Sequence, residues 1–212
     1  QGEFAGKLDR KQVPPVKDFE SVSLPKPETT VLANGIPVYI IRMGDQDVCR
    51  IDVIFSAGRY NEKKAMSAVI TNLMLKEGSS LMSSSQIAEN LDYYGAWLEL
   101  SSSSEYAYIT LYSLNKYFAE TLEILESIIK EPLFPEKDLN TVLDVNIQQY
   151  LVNSSKVDFL AQRSLLTALY GNEHPCGRLT EEKDYRLITP DVLREFYDEY
   201  YHSGNCAIFL SG

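Results

Sequence analysis

Apolar positions recur along this chain with two different periods, and the switches between them mark its elements. After Gly44-Asp45, Cys49, Ile51, Val53 and Phe55 alternate with Arg50, Asp52 and Ile54, the period of a strand with one buried face. Ala96, Leu98 and Leu100 continue that period further on, and Tyr106, Tyr108, Thr110 and Tyr112 then alternate with Ala107, Ile109 and Leu111. The serine run 101–104 between these two strands reads as a hairpin loop or a polar strand end. A hairpin is also expected over residues 30–42. There Asn34-Gly35 gives a two-residue turn signal between Val31-Leu32 and Val38-Tyr39-Ile40-Ile41.

The helical period takes over between these strands. Met66, Val69, Ile70, Leu73 and Met74 form an amphipathic stripe that stops at Lys76-Glu77-Gly78-Ser79-Ser80. A second helix opens on the capping-box pair Ser83 and Gln86 and closes at Gly95. A third carries Phe118, Leu122, Leu125 and Ile129 and is stopped by Pro132. A fourth starts at Pro135 and breaks near Asn153-Ser154-Ser155. Val157, Leu160, Ala161, Ser164, Leu165 and Ala168 then form another stripe, ending at Gly171. Thr189-Pro190-Asp191 opens a last helix with Leu193, Phe196, Tyr197, Tyr200 and Tyr201 toward the core, before a strand over 206–210. No regular βαβ alternation appears, so the expected fold class is α+β, a mainly antiparallel sheet covered by helices. Residues 1–28, with Pro14, Pro15, Pro25 and Pro27 among charges, read as an extended arm, and 29–212 as one domain. The chain stops just after the apolar run Ala207-Ile208-Phe209-Leu210, so a longer parent chain is expected.

Composition narrows the partners. The 212 residues carry a formal net charge of −10, which argues against nucleic acid or an anionic membrane as the default partner. No apolar run approaches transmembrane length, and no signal-peptide pattern is legible. Three cysteines, Cys49, Cys176 and Cys206, form no Cys-x-x-Cys pair and read as small buried hydrophobes. A Cys176–Cys206 disulfide is possible but has no support from spacing.

The helix pair over 65–95, with its Gly78 stop, resembles the amino-terminal domain of the insulinase/pitrilysin metallopeptidases, the M16 family. Further segments carry the resemblance in order: Asn34-Gly35-Ile36-Pro37-Val38, Phe55-Ser56-Ala57-Gly58-Arg59, Gly95-Ala96-Trp97-Leu98 and Pro132-Leu133-Phe134-Pro135-Glu136. Leu169-Tyr170-Gly171 leading to His174-Pro175-Cys176-Gly177-Arg178 is the most specific stretch outside the helix pair. In active members the first helix carries His-x-x-Glu-His. Two histidines at i and i+4 share a helix face, where they grip zinc while the glutamate activates the bound water. Counted back from Gly78, those positions fall on Val69, Asn72 and Leu73. No histidine precedes His174, so a shift of register restores nothing. The distal glutamate that the family takes from a later helix is missing too, because residues 137–172 contain none and Asp144 is the nearest carboxylate.

The resemblance therefore implies a non-catalytic domain with no metal ligand of its own. Zinc is expected in a homologue, or in a second half of the same chain, with which this domain completes a peptide-degrading chamber. The other readings are a structural or assembly subunit, and part of an active zinc peptidase whose motif lies outside this segment. The substrate strand of the family corresponds to Trp97, Leu98, Glu99, Leu100 and Ser101, a candidate edge for an extended peptide. Glu99 and Leu100 depart from the Asn-Ala common there, which puts that role in question. An acidic chamber wall would favour basic peptides. His174 reads as a loop histidine bonding backbone groups, and His202 as a helix-end residue complementing the dipole. Ser-His-Asp chemistry stays open among the many serines, although no Gly-x-Ser-x-Gly elbow occurs. Family habit, not any residue, points to an exported bacterial protein.

Overall fold

The computed structural model describes Val13 and residues 25–212. The arm expected over 1–28 thus lies largely outside the described residues. Six strands, β1 (Glu28–Val31), β2 (Pro37–Ile41), β3 (Val48–Phe55), β4 (Trp97–Ser102), β5 (Ala107–Leu114) and β6 (Cys206–Ser211), form one sheet in the order β1-β2-β6-β3-β5-β4. Only β2 and β6 pair in parallel; the other neighbours are antiparallel. The last strand therefore enters between two of the first three, and the expected mainly antiparallel α+β fold is what forms. Among the described residues, seven α-helices complete it: α1 (Ser67–Met74), α2 (Ser84–Tyr94), α3 (Phe118–Lys130), α4 (Glu136–Ser154), α5 (Val157–Tyr170), α6 (Glu182–Tyr185) and α7 (Pro190–Tyr200).

Local signals act as their chemistry predicts. Ser83 and Gln86 bond reciprocally across the first turn of α2, and Gly95 closes that helix in the left-handed region at φ 63°. The Thr189 hydroxyl accepts from the Val192 amide at the start of α7, with Pro190 in the first turn. Asn34-Gly35 does sit in the β1–β2 turn, but the loop spans residues 32–36 rather than two, closed by the Leu32 amide on the Ile36 carbonyl. In the serine run, Ser101 and Ser102 end β4, while the Ser103 hydroxyl takes the Glu105 and Tyr106 amides in the loop.

The core lies between the sheet and the helices. Ile51, Val53 and Phe55 of β3 and Ile109 and Leu111 of β5 meet Ile70 and Met74 of α1, Ile124, Leu125 and Ile128 of α3, and Leu193 and Phe196 of α7. Full burial of each such side chain is worth about 1.5–3 kcal/mol. The opposite sheet face carries Tyr39 stacked on Phe209, with ring centroids 5.0 Å apart, and the outward sides of Ile54 and Tyr108. On the covered face, α3 leaves a gap over β2 and β6. An apolar groove of about 650 Å³ runs there, lined by Phe118, Leu122 and Ile129 on one side and Val38, Ile208 and Leu210 on the other.

Two helices turn differently from the stripes read in the sequence. In α3 the buried row is Thr121, Ile124, Leu125 and Ile128, because Phe118, Leu122 and Ile129 face that groove. In α5 no residue is buried, and Val157, Leu160 and Leu165 point to solvent. The inward side of α5 is Phe159, Arg163 and Leu166.

Candidate functional site

Helix α1 is short and enters from an unusual backbone. Met66, immediately before it, holds φ at 71°, a left-handed conformation that costs a long side chain about 1–2 kcal/mol. From there Ala68, Ile70, Thr71, Asn72 and Met74 turn into the protein, while Val69 and Leu73 are half-buried. The three positions of the absent ligand motif thus separate. Val69 lines a cavity, Leu73 packs against the core, and Asn72 is fully buried.

The carboxamide of Asn72 is committed to the fold. Its Nδ2 donates to the Ser101 carbonyl at 2.7 Å and to the Tyr108 carbonyl at 3.2 Å, tying α1 to the end of the β4–β5 hairpin. Its Oδ1 accepts from the Tyr201 hydroxyl at 3.4 Å. Burial drives the Tyr201 phenol far above its ordinary range, so that group stays a donor. Two apolar side chains and an amide spent on backbone carbonyls do not fit zinc, and no three His, Cys, Asp or Glu side chains converge among the described residues.

The cavity beside Val69 measures about 300 Å³. It is walled by Tyr150 of α4, Phe159, Arg163 and Leu166 of α5, the loop Cys176–Thr180, Arg59 and Ser102. Arg163 lies over the rings of Tyr150 and Phe159, at 5.5 and 5.4 Å, and donates to the Thr180 carbonyl at 2.6 Å. Arg178 pairs with Glu62 at 2.9 Å. The lining is therefore basic, opposite in sign to the chain as a whole.

Glu62 anchors this wall from within, its side chain only 1% exposed. It also accepts the Ala68 amide at 3.1 Å, steadying the start of α1. Burial raises its carboxyl above the ordinary glutamate value, against the pull of Arg59, the Ala68 amide and Arg178. A folded value above the unfolded one gives a contribution that is full below the unfolded pKa, about 4.3, and is lost as pH rises through the folded value. The stability of the protein relative to a Glu62→Gln variant is thus expected to fall as pH rises through that window. Urea unfolding of both proteins at stepped pH checks this, and a rising difference would contradict it.

Strand β4 is a sheet edge. Trp97, Glu99 and Ser101 are exposed along it, and Leu98 and Leu100 pack inward. His174 accepts the Cys176 amide on Nδ1 at 3.1 Å and stacks on Tyr170 at 5.2 Å. His202 follows α7 and lines the apolar groove. All three cysteines are free, so no Cys176–Cys206 bond forms; the Cys176 thiol lies 2.9 Å from the Tyr60 hydroxyl. Asp144 is exposed on α4. Sequence reading missed the arginine-lined cavity. Its only signal was the Gly177-Arg178 pair after His174-Pro175, since Arg59 and Arg163 reach it from distant parts of the chain.

The fold recurs in an M16 peptidase inactive domain from Pseudomonas fluorescens, with a TM-score of 0.83 and 24% identity over 89% of this chain and 47% of that one. Among curated proteins, the chain is 28% identical over 193 residues to mitochondrial-processing peptidase subunit alpha-1 of Dictyostelium discoideum, covering 88% of this chain and 29% of that protein. It is 25% identical over 186 residues to an uncharacterised zinc protease of Rickettsia felis, 85% of this chain and 45% of that protein. A non-peptidase homolog, YmxG, of Helicobacter pylori is 24% identical over 140 residues, 66% of this chain and 32% of that protein. The chain spans less than half the length of each of these curated relatives. The model of the insulinase family of peptidases, M16, matches residues 38–181, well over half of the chain, which accordingly belongs to that family.

Proposed function

We propose that this chain is a non-catalytic M16 domain that pairs with a zinc-bearing homologue, or with a second half of its own chain, and completes a peptide-degrading chamber. The observation that carries the reading is the fate of the motif helix. Val69 and Leu73 offer no ligand, and the amide of Asn72 is spent on the Ser101 and Tyr108 carbonyls. The names of two relatives, a processing-peptidase alpha subunit and a non-peptidase homolog, support it. In this reading zinc is held by the partner. Strand β4 offers its free edge to an extended substrate, with Trp97, Glu99 and Ser101 on the uncovered sheet face.

A second reading, a structural or assembly subunit without proteolytic role, draws on α5. Its Val157, Leu160, Leu165 and Leu169 are exposed apolar side chains of the kind that partners cover. Peptide cleavage by the intact parent protein, alone and mixed with a zinc-bearing homologue, separates these readings when bound zinc is quantified. Cleavage that needs the mixture, with zinc held by the homologue, is the expected result. Cleavage by the homologue unaffected by this chain favours the assembly role. Stoichiometric zinc and activity in this segment alone would overturn both.

A further inference from the structure

The cavity beside Val69 holds more positive charge than its own protein partners use. Of its three guanidinium groups, Arg178 is paired with Glu62 and Arg163 is fixed on the Thr180 carbonyl and two rings. Arg59 makes no ion pair among the described residues. Two further donors are buried without a hydrogen-bond partner among the described residues: Nε of Arg178 and the Ser102 hydroxyl. Both residues line the cavity. Unpartnered buried donors beside an unpaired guanidinium carry a desolvation cost that an anion would offset.

The nearby carboxylates are committed elsewhere. Glu62 is held by Arg178 and the Ala68 amide, and although it attracts Arg59 as well it forms no ion pair with it. Glu181 is bonded to Lys183 at 2.7 Å, and Asp184 accepts the Glu181 amide. Met66, Val69, Phe159 and Leu166 make one stretch of the wall apolar. About 300 Å³ is the lower end of ordinary ligand sites, suited to a small group rather than a cofactor.

We propose that this cavity binds a carboxylate carried on a short apolar stem, with Arg59, Nε of Arg178 and the Ser102 hydroxyl as its donors. One guanidinium outside any ion pair, two donors without a protein acceptor and a largely apolar wall match a singly charged acid better than a phosphate. The carboxylate belongs either to a glutamate side chain of a peptide or to a free small acid. The site stands whether or not the chain completes a peptidase chamber, and its test reads binding, not cleavage.

Four probes decide it by titration calorimetry at low salt: a blocked heptapeptide with one central Glu, its Gln counterpart, free glutarate and inorganic phosphate. The expected result is at least about tenfold tighter binding of a carboxylate probe than of the Gln peptide, with phosphate weaker, equivalent to about 1.4 kcal/mol. Arg59→Gln is expected to remove that preference, and Ser102→Ala to weaken it while the circular dichroism of both stays native. Preference for the Glu peptide over glutarate identifies a peptide side chain as the source, and the reverse a free acid. Equal binding of the Glu and Gln peptides, tighter binding of phosphate, or a preference that survives both substitutions would overturn the proposal.

Discussion

Replacing Asn72 with aspartate is expected to destabilise the protein by about 3–5 kcal/mol, although the two side chains have nearly the same shape. Asn72 is inaccessible to solvent, and its Nδ2 serves the carbonyls of Ser101 and Tyr108. Aspartate removes both donors and sets an acceptor, or a buried charge, against two carbonyl oxygens. Each unsatisfied buried group costs about 1–3 kcal/mol, and an uncompensated charge more. The Tyr201 hydroxyl still finds an oxygen to donate to, so the loss isolates the amide nitrogen. In a domain of this length the melting temperature falls by about 2–4 °C per kcal/mol, a drop of about 10 °C. Val69→His, at the cavity wall, is the comparison, with an expected cost under about 1 kcal/mol. Urea unfolding of the two variants decides between them. A loss below about 1 kcal/mol for Asn72→Asp would mean that the amide does not clamp α1 to the hairpin. Writing His, Glu and His back into positions 69, 72 and 73 is likewise expected to break the fold before it builds a metal site, because glutamate at 72 meets the same two carbonyls.

The helix pair and the strand alternation follow from short-range pattern, and the sequence reading placed them well; the edge at β4 was expected only from the family resemblance, since a strand's place in a sheet is set by long-range pairing. What it missed is long-range. Asn72 interrupts an apolar stripe, and its partners lie 29, 36 and 129 residues away, so nothing local marks it as a clamp. Helix α5 carries apolar residues on two sides. Val157, Leu160 and Leu165 make the cleaner row, yet Phe159 and Leu166 face inward because Arg163, between them on that side, is anchored by the Thr180 carbonyl. A binary pattern cannot choose between two apolar sides when the inner one contains an arginine. The cavity was illegible for the same reason. Its charges come from a short 3-10 turn after β3, a helix and a loop, and they line a cavity in a chain whose net charge is −10.

Gly177→Ala should be the second large effect, since that loop is seated by a backbone approach only glycine permits. A Cβ at position 177 would stand 2.2 Å from the Gly171 carbonyl oxygen, 3.0 Å from its carbon and 3.1 Å from the Leu166 carbonyl oxygen. All three are backbone atoms of α5 and its end, so no side-chain rotation relieves the clash. The Gly177 carbonyl also accepts the Thr167 hydroxyl at 2.6 Å, which holds the loop against the helix. Moving the loop displaces Arg178 from Glu62 and Thr180 from Arg163, and with them the basic wall of the cavity. The expected cost is about 2–3 kcal/mol, at the upper end of overpacking penalties, together with loss of carboxylate binding. Gly204→Ala is the control. Its Cβ would meet only the ring of His202 at 3.3–3.4 Å, a side chain free to turn, and a change under about 0.5 kcal/mol is expected. Equal melting temperatures for the two variants would show that the loop is not seated by this contact. A Gly177→Ala protein that melts lower but still binds glutarate as the parent does would place the anion away from the loop, on Arg59 and Ser102 alone.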